Sequence, residues 1–462
     1  MSILNSKLFE ACRAFSPNFK NLTSAVTAQM LDNNGFEAIN SIDNSIVNNW
    51  FNLSLKIVLQ KVDVARARNP LEDSGIVEYY DTPYGGYAQR LAVQSLKPTS
   101  PKFKELVDGS SVDMQKVRLP KVTERFFKLN WAFQNYYTLQ DFQVKQIFQS
   151  PYGMSEFIGG IVSQMQASYK KQKYVNALET LSAGINSTSH ALKSTQKIEL
   201  SSWTDAGVQA AELQEFIKAL KNLKVQLEAT PSTSAFNAAG FETAVDADNM
   251  VCMMRAGIQT DIQTALTTGS LYGFDKQFLD MPFKVQEVVN FGGLVPVKSV
   301  DETKTGDGTT TAFELEKDGY RITKVTVGGV ASTAWTFDKE NNEITFTEAP
   351  ANDAAIVITY DAMLYPLYST TTGEQIGWVY NEDTTTADVQ DGAESYIDTN
   401  EDILAVVIQK GTIFETIQNP VQVIPAPYNA AGLYQTFWFS QADNGISYDY
   451  YYNVIVITKP QS

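Results

Sequence analysis

Few residues in this chain have the chemistry that catalysis usually needs. His190 is the only histidine, and Cys12 and Cys252 are the only cysteines among 462 residues. Two cysteines are too few for a disulfide framework or a cysteine-based zinc site. His190 follows the Ser/Thr-rich segment 186–189, which predicts a solvated loop rather than a triad base. No nucleophile elbow and no Walker-type loop occurs, so we expect no catalytic, cofactor-binding or metal-binding residues.

Two clusters of polar side chains invite a binding interpretation. Residues 373–402 hold nine acidic and no basic side chains, and carboxylates are the ligands that Ca²⁺ prefers. The EF-hand spacing is missing, so we expect a solvated loop there. Tyr448, Tyr450 and Tyr452 would share one face of a strand and form a stacking platform for sugars or bases. We expect these tyrosines to pack in a core instead.

Charge is unevenly distributed along the chain. The net charge of −16 divides into +4 over residues 1–181 and −20 over residues 182–462. A broadly acidic protein is a poor general binder of nucleic acid, because each phosphate contact needs a Lys or Arg. Opposite-signed halves suit copies that pack against one another in a fixed orientation. Two differently solvated domains would give the same counts, so both interpretations remain open.

The most basic part of the molecule is a predicted β-ribbon. Alternating apolar residues predict one strand over 53–64 and a partner over 116–133, with about fifty residues between them. So long a connection exceeds any ordinary hairpin loop, and we expect it to contact an acidic neighbouring protein. The candidate contacts between subunits are Arg66, Arg68, Arg90, Lys97, Lys116, Arg118, Lys121 and Arg125.

The remaining periodicities predict an α+β chain. Residues 1–50 suit short amphipathic helices, and a further helix is predicted over 210–227. A 3.6-residue stripe predicts a helix over 155–183, roughly 43 Å long at about 1.5 Å per residue. The stripe consists of Phe157, Ile161, Met165, Tyr169, Val175, Leu178 and Leu181.

Short strands separated by turn residues follow in the second half of the chain. Five of them predict a β-sandwich inserted at a surface loop, at 312–315, 322–327, 334–338, 343–347 and 355–360. Three more, dense in β-branched and aromatic residues, are predicted at 403–408, 412–417 and 448–458.

This order of elements is similar to that of major capsid proteins of tailed phages, which have the Hong-Kong-97-type fold. The resemblance covers residues 50–290 and 400–462, and it is closest to small, short-tailed, protein-primed phages. The segments that resemble their extended loop are Asn69-Pro70-Leu71, Val117 to Val122, Phe126-Phe127 and Asn135 to Thr138. Those that resemble their long "spine" helix are Ser155 to Ile158 and Tyr174 to Leu178. Those that resemble their peripheral sheet are Ile403 to Ile408, Ile413-Phe414 and Tyr450 to Tyr452.

The resemblance implies a division of the chain into five parts. These are an N-terminal arm at 1–50, an extended loop at 51–134, a peripheral domain at 135–185 and 403–462, an axial domain at 186–297 and 362–402, and an inserted immunoglobulin-like β-sandwich at 298–361. A two-stranded ribbon is not stable alone, so we expect it to lie across a neighbouring subunit.

The implied function is a subunit that self-assembles, as pentamers and hexamers, into an icosahedral shell around double-stranded DNA. A separate scaffold protein and a portal are implied partners, the virion capsid is the implied location, and assembly is expected in the host cytoplasm. No stretch approaches the roughly 20 apolar residues that cross a bilayer, and the start lacks a signal-peptide pattern. We therefore expect a soluble intracellular product without membrane partners.

Two other functions remain as alternatives. The β-sandwich and the tyrosines would suit a phage tail or surface adhesin that binds host glycans, although no secretion signal or fibrous repeat accompanies them. An enzyme on an α/β scaffold would need a site that the sequence does not supply.

Overall fold

The structure is a computed structural model that describes residues 5–23, 44–61, 69–81, 87–94, 122–140, 142–143, 152–204, 210–229, 234–241, 247–267, 281–339, 341–368, 375–380, 389–417, 422–427, 429 and 431–460. The chain divides into two compact units. Unit 1 is Met1–Phe291 with Asp402–Ser462, and unit 2 is Gly292–Glu401.

The helices of the described residues all belong to unit 1. They are α1 (Asn5–Phe15), α2 (Pro17–Leu22), α3 (Asn44–Lys61), α4 (Pro70–Ser74), α5 (Gly153–Ile185), α6 (Ala210–Ala229) and α7 (Ile258–Thr267). The strands before unit 2 are β1 (Val77–Asp81), β2 (Tyr87–Val93), β3 (Val122–Lys128), β4 (Trp131–Gln140), β5 (Lys197–Glu199), β6 (Met250–Arg255) and β7 (Lys284–Val288).

Unit 2 consists of strands, and unit 1 resumes after it. The strands of unit 2 are β8 (Leu294–Thr305), β9 (Ala312–Glu314), β10 (Gly319–Val327), β11 (Val330–Ala331), β12 (Trp335–Asp338), β13 (Glu343–Phe346), β14 (Ala355–Met363), β15 (Tyr365–Tyr368), β16 (Gln375–Val379) and β17 (Ser395–Asp398). The last strands of unit 1 are β18 (Ile403–Gln409), β19 (Ile413–Ile417), β20 (Gln422–Pro425), β21 (Tyr434–Tyr448) and β22 (Val454–Thr458).

Unit 1 is built around two five-stranded sheets. Sheet 1 has the order β1-β19-β21-β20, with β4 also paired to β21, and sheet 2 has the order β5-β22-β18-β6-β7. Helices α6 and α7 cover one face of sheet 2. The C-terminal half of α5 packs in a core shared by both sheets, and its N-terminal half packs with α1, α2, α3 and the β4–β21 end of sheet 1.

Helix α5 confirms the predicted long helix, because its 33 residues enclose 155–183. Its buried side is continuous from Met165 through Tyr169, Lys173 and Ala177 to Leu181. The predicted stripe was wrong at one position. Val175 is 42% exposed, while Lys173 is buried, since steps of four residues from Tyr169 reach 173 and not 175. A charged side chain therefore lies in the core.

The predicted strand at 53–64 is wrong, because α3 runs to Lys61. Its alternating leucines also satisfy helical spacing, and Val47, Trp50, Phe51 and Leu55 are buried together in the core with α1. The residues paired with β3 are those of β2. Of the predicted strand at 116–133, residues 122–128 form β3 and residues 131–133 begin β4, with an interruption at residues 129–130. Residues 62–68 and 95–121 lie outside the described residues.

Unit 2 is a β-sandwich, as predicted. One sheet has the order β11-β10-β14-β8-β17 and the other β12-β13-β9. Side chains from both sheets share one core, among them Val325, Ile344, Phe346, Ile356 and Ile358. The unit is wider than the expected 298–361 insertion, because β8 begins at Leu294 and pairs with β17. Strands β16 and β17 also correct the predicted loop at 373–402, of which residues 381–388 lie outside the described residues.

The C-terminal strands are confirmed with one correction. Strands β18, β19 and β22 lie where the β-branched runs predicted them, whereas β21 was not predicted. Residues 449–453 form a turn between β21 and β22. The tyrosines of this turn therefore do not share one face of a strand.

We predict that Gly184→Ala destabilises unit 1 by about 1–3 kcal/mol, because an added Cβ would overlap the ring of Tyr448. Gly159→Ala in the same helix is the control. Apart from the helix's own backbone, no described residue lies within 4 Å of its added Cβ, so it should stabilise the helix by about 0.5–1 kcal/mol. Urea unfolding of the unassembled subunit measures both variants. Equal shifts in the two would contradict a close contact between α5 and sheet 1.

Candidate functional site

Strand β19 lies between the long helix α5 and the ribbon base, which we define as β2 with β3. Successive side chains of a strand point to opposite faces, so Phe414 and Glu415 reach different partners. The Phe414 ring lies 5.1 Å from the Phe127 ring of β3. The Glu415 carboxylate lies 3.0 Å from the Lys173 ammonium of α5. One strand of sheet 1 therefore positions both the ribbon and the helix.

Two arginines of the ribbon base bind one buried carboxylate. Arg90 and Arg125 are direct partners across the ribbon, a placement that is destabilising for like charges without a counter-ion. Asp449, whose side chain is 1% exposed, is that counter-ion. Its Oδ2 accepts from Arg90 Nη1 over 3.1 Å, and its Oδ1 accepts from Arg125 Nη1. The shared carboxylate fixes the ribbon base to the end of β21.

Aromatic rings and further acceptors complete the surroundings of both guanidinium groups. Arg90 lies 4.5 Å from the centroid of the Phe414 ring, and it donates to the Gly411 carbonyl over 2.9 Å and to Glu78. Arg125 lies 4.4 Å from the centroid of the Tyr451 ring. Burial by itself lowers the pKa of Arg90, but the negative groups around it raise that pKa by more, so the net direction is upward. The guanidinium therefore stays charged while buried.

The two faces of the ribbon base differ in what they contact. The inner face carries Arg90, Arg125 and Phe127 onto sheet 1. The outer face is exposed and carries large apolar side chains that range from 50% to 62% exposed, namely Tyr87, Leu91, Val93, Val122 and Phe126. Exposed apolar patches of this kind mark interaction surfaces more often than free surface.

The buried lysine of α5 is bound by two carboxylates from two other elements. Lys173 Nζ lies 2.5 Å from Glu72 Oε1 of α4 and 3.0 Å from Glu415 Oε2 of β19. The three side chains are 1%, 6% and 1% exposed. The rings of Tyr79 and Tyr169 each have centroids 5.6 Å from the ammonium. This cluster ties α4, α5 and sheet 1 together at one point.

In this cluster one ammonium group faces two carboxylates, so the protonation of the cluster depends on pH. The net effect of burial, which raises the pKa of Glu415, of Lys173, which lowers it, and of Glu72, which raises it, is a pKa of about 7. The folded chain therefore holds a proton on Glu415 that the unfolded chain, with an ordinary carboxyl pKa, releases at lower pH.

The structure describes two of the eight candidate contacts between subunits. Arg90 and Arg125 both bind Asp449 of their own chain. The other six lie outside the described residues, namely Arg66, Arg68, Lys97, Lys116, Arg118 and Lys121.

The sequence reasoning missed Asp449, Lys173, Glu72 and Glu415. The signal for Lys173 was its place in the apolar stripe of α5, and that for Glu415 was a lone charge within the apolar strand Ile-Phe-Glu-Thr-Ile. Nothing local marked Asp449.

The two cysteines and His190 take no part in the ion pairs described above. Burial raises the pKa of the Cys12 thiol to about 11 and that of Cys252 to about 12, so both remain protonated at neutral pH. His190 is exposed, and its ring centroid lies 4.2 Å from that of Tyr450. Within the described ranges, no group of three or more His, Cys, Asp or Glu side chains is arranged to hold a metal ion. None of the helices described is both long and apolar enough to span a membrane.

We predict that Asp449→Asn releases the ribbon base, because two buried guanidinium groups lose their shared counter-charge. Removing one member of a buried ion pair costs about 3–5 kcal/mol. Hydrogen exchange should accelerate in β2 and β3 more than in β18 and β22. Glu124→Gln on the exposed face of β3 is the control and should leave exchange unchanged. Equal exchange in both variants would show that Asp449 does not anchor the ribbon.

We predict that Glu415 makes subunit stability fall as pH rises from about 4.5 to about 7 and then level off. In that interval the folded chain keeps a proton on Glu415 that the unfolded chain has lost. Glu415→Gln should flatten this slope and change the difference across the interval by about 2 kcal/mol. Urea unfolding at a series of pH values measures it, with Glu10→Gln, 58% exposed, as control. An unchanged slope in Glu415→Gln would refute the assignment.

Comparisons with known proteins give a family for this chain. The model of the family described as Phi29-like phage major capsid protein matches residues 10–458. No curated protein matches the chain.

Solved phage capsids are similar in structure at low sequence identity. The capsid of Staphylococcus phage Andhra is 11% identical with a TM-score of 0.45, over 84% of this chain and 83% of that chain. The capsid of Ralstonia phage GP4 is 10% identical with a TM-score of 0.41, over 86% and 92% of the two chains. The capsid of cyanophage P-SCSP1u is 11% identical with a TM-score of 0.41, over 85% and 88%.

The family match spans nearly the whole chain, including the ribbon base, the long helix and both sheets of unit 1. The chain therefore belongs to the Phi29-like phage major capsid protein family, and it is a structural subunit of a phage capsid with the Hong-Kong-97-type fold.

Proposed function

We propose that this subunit assembles, as pentamers and hexamers, into an icosahedral shell that encloses double-stranded DNA. The observation that carries the proposal is the two-sided ribbon base, which is bound to its own chain by buried ion pairs and exposes apolar side chains on its other face. A two-stranded ribbon with an exposed apolar face is completed by packing on another surface. In a capsid, that surface belongs to a neighbouring subunit.

The charge distribution bears on which part of the chain can contact the DNA. Unit 2 holds 20 acidic and 6 basic side chains, a net charge of −14, which leaves −2 for the rest of the chain. A strongly negative unit is repelled by packaged DNA. Unit 2 is therefore expected to make no contact with the packaged DNA. A separate scaffold protein and a portal complete assembly in the host cytoplasm.

The eight candidate contacts between subunits have two different roles in this proposal. Arg90 and Arg125 fix the ribbon base to its own chain. The remaining candidates contact acidic groups of a neighbouring subunit, namely Arg66, Arg68, Lys97, Lys116, Arg118 and Lys121.

We predict that reversing Lys116, Arg118 and Lys121 to Glu lowers the particle yield at least about tenfold, because attraction across the contact becomes repulsion. Arg125 is left unchanged, since it binds Asp449. The control reverses three exposed lysines elsewhere, Lys218, Lys324 and Lys339. Electron microscopy and sedimentation measure the yield, and thermal unfolding checks the subunit. A wild-type yield from the first variant would contradict the role of the ribbon.

A further inference from the structure

On one face of sheet 1, the residues that the structure describes cover one end and leave the other end uncovered. On β4, the rings of Trp131 and Phe133 lie 6.0 and 4.9 Å from the Tyr169 ring of α5, so they face the helix. The alternate residues of β4 therefore point the other way, toward the side on which the ribbon base covers Phe414. We call the uncovered end the outer strip. It consists of Gln134, Tyr136, Thr138, Gln422, Ile424, Thr436, Trp438 and Ser440.

A row of three large apolar side chains crosses the middle of the outer strip. Tyr136 is paired with Trp438, and Trp438 is paired with Ile424 on the next strand. The rings of Tyr136 and Trp438 have centroids 5.0 Å apart. Tyr136 and Ile424 are each 52% exposed. An antiparallel sheet that faces water on one side normally places polar residues there, so this row is an exception that calls for a partner.

The strands of the outer strip carry no charge. Residues 131–140, 422–425 and 434–441 contain no Asp, Glu, Lys or Arg. With 19% charged residues in the chain, about four would be expected in segments of this total length. Aromatic side chains in the absence of charge are the composition of the buried centre of a protein interface. DNA is excluded as the partner, since phosphate contacts need Lys or Arg.

The net charge of the chain decides between possible protein partners. Copies that each carry −16 repel one another, so they associate most favourably through surfaces where like charges do not meet. The outer strip is such a surface, and a capsid subunit meets other copies of itself at high local concentration. We propose that the outer strip, through the Tyr136–Trp438–Ile424 row, is a contact surface for a second copy of this chain in the shell. The inference rests on the proposed function and names one of its contacts.

The size of the outer strip fits the centre of such a contact. Strands rise about 3.3 Å per residue and lie about 4.8 Å apart, so three strands over five residues give the strip an area of roughly 240 Å². A standard interface buries about 800 Å² on each partner, with a few central residues responsible for most of the affinity. The row is therefore expected to be the energetic centre of a larger contact with a polar rim.

The first test removes the row without disturbing the sheet. Tyr136→Thr, Trp438→Thr and Ile424→Thr place a β-branched residue, which suits a strand, at each of these three positions. The combined variant should unfold like the wild type but need at least about tenfold higher concentration to assemble. The matched control changes exposed apolar residues of unit 2 in the same way, Val330→Thr and Tyr396→Thr, which are 71% and 58% exposed. Wild-type assembly of the row variant would overturn the inference.

The second test reports where the outer strip lies in the particle. Cys12 and Cys252 are buried, so a Gln134→Cys variant presents one reactive thiol to a maleimide. Labelling should be at least about tenfold slower in empty and in DNA-filled particles than in free subunits. A Thr323→Cys control on the exposed face of unit 2 should react equally in all three. Protection only in DNA-filled particles, or only while a scaffold protein is present, would overturn the inference.

The two tests separate failure of this inference from failure of the proposed function. If the wild type forms no particles alone or with a scaffold protein, the proposed function fails. If the wild type assembles, the ribbon variant does not, and the row variant does, only the outer strip is wrongly assigned.

Discussion

The arrangement of unit 1 depends on the opposite directions of two neighbouring side chains in β19. Glu415 points to α5 and binds Lys173 together with Glu72, while Phe414 points to the ribbon base and packs under Arg90 and Phe127. A cluster of one cation and two carboxylates is satisfied in only one register of helix against sheet, because three elements must meet at a single ammonium group. Desolvation of the charged groups offsets much of the attraction in such buried ion pairs, so their presence alone does not indicate a large net stability.

The ribbon base has the opposite arrangement of charges, in which one buried carboxylate binds two cations. Two cations that face each other across β2 and β3 would repel, and a single carboxylate at the end of β21 makes their proximity favourable. Because Asp449 is almost fully buried, its ion pairs with the two arginines are little screened by salt. The ribbon is therefore held firmly where it leaves the body of the subunit, and its exposed apolar face is left for contacts with other molecules.

Charge also explains how an acidic chain can associate with itself. Most of the net charge is confined to unit 2, and the sheets, helices and ribbon of unit 1 are nearly neutral in sum. Long-range repulsion between subunits is then smallest when unit 1 meets unit 1. The uncharged outer strip and the exposed apolar side chains on the outer face of the ribbon base are the parts of unit 1 best suited to such contacts.

Some elements were predictable from the sequence because their signal is local. The stripe of α5, the short strands of unit 2 and the β-branched runs of β18, β19 and β22 each contain their own period and turn residues. Helix α3 was mistaken for a strand because its leucines fit both periods, and only its burial against α1 distinguishes them. The basic character of the ribbon was equally visible in the sequence. Only the tertiary structure decided that Arg90 and Arg125 bind Asp449, which lies more than 300 residues away along the chain. The sequence did not indicate this, because an ion pair between distant segments leaves no periodic trace in either of them.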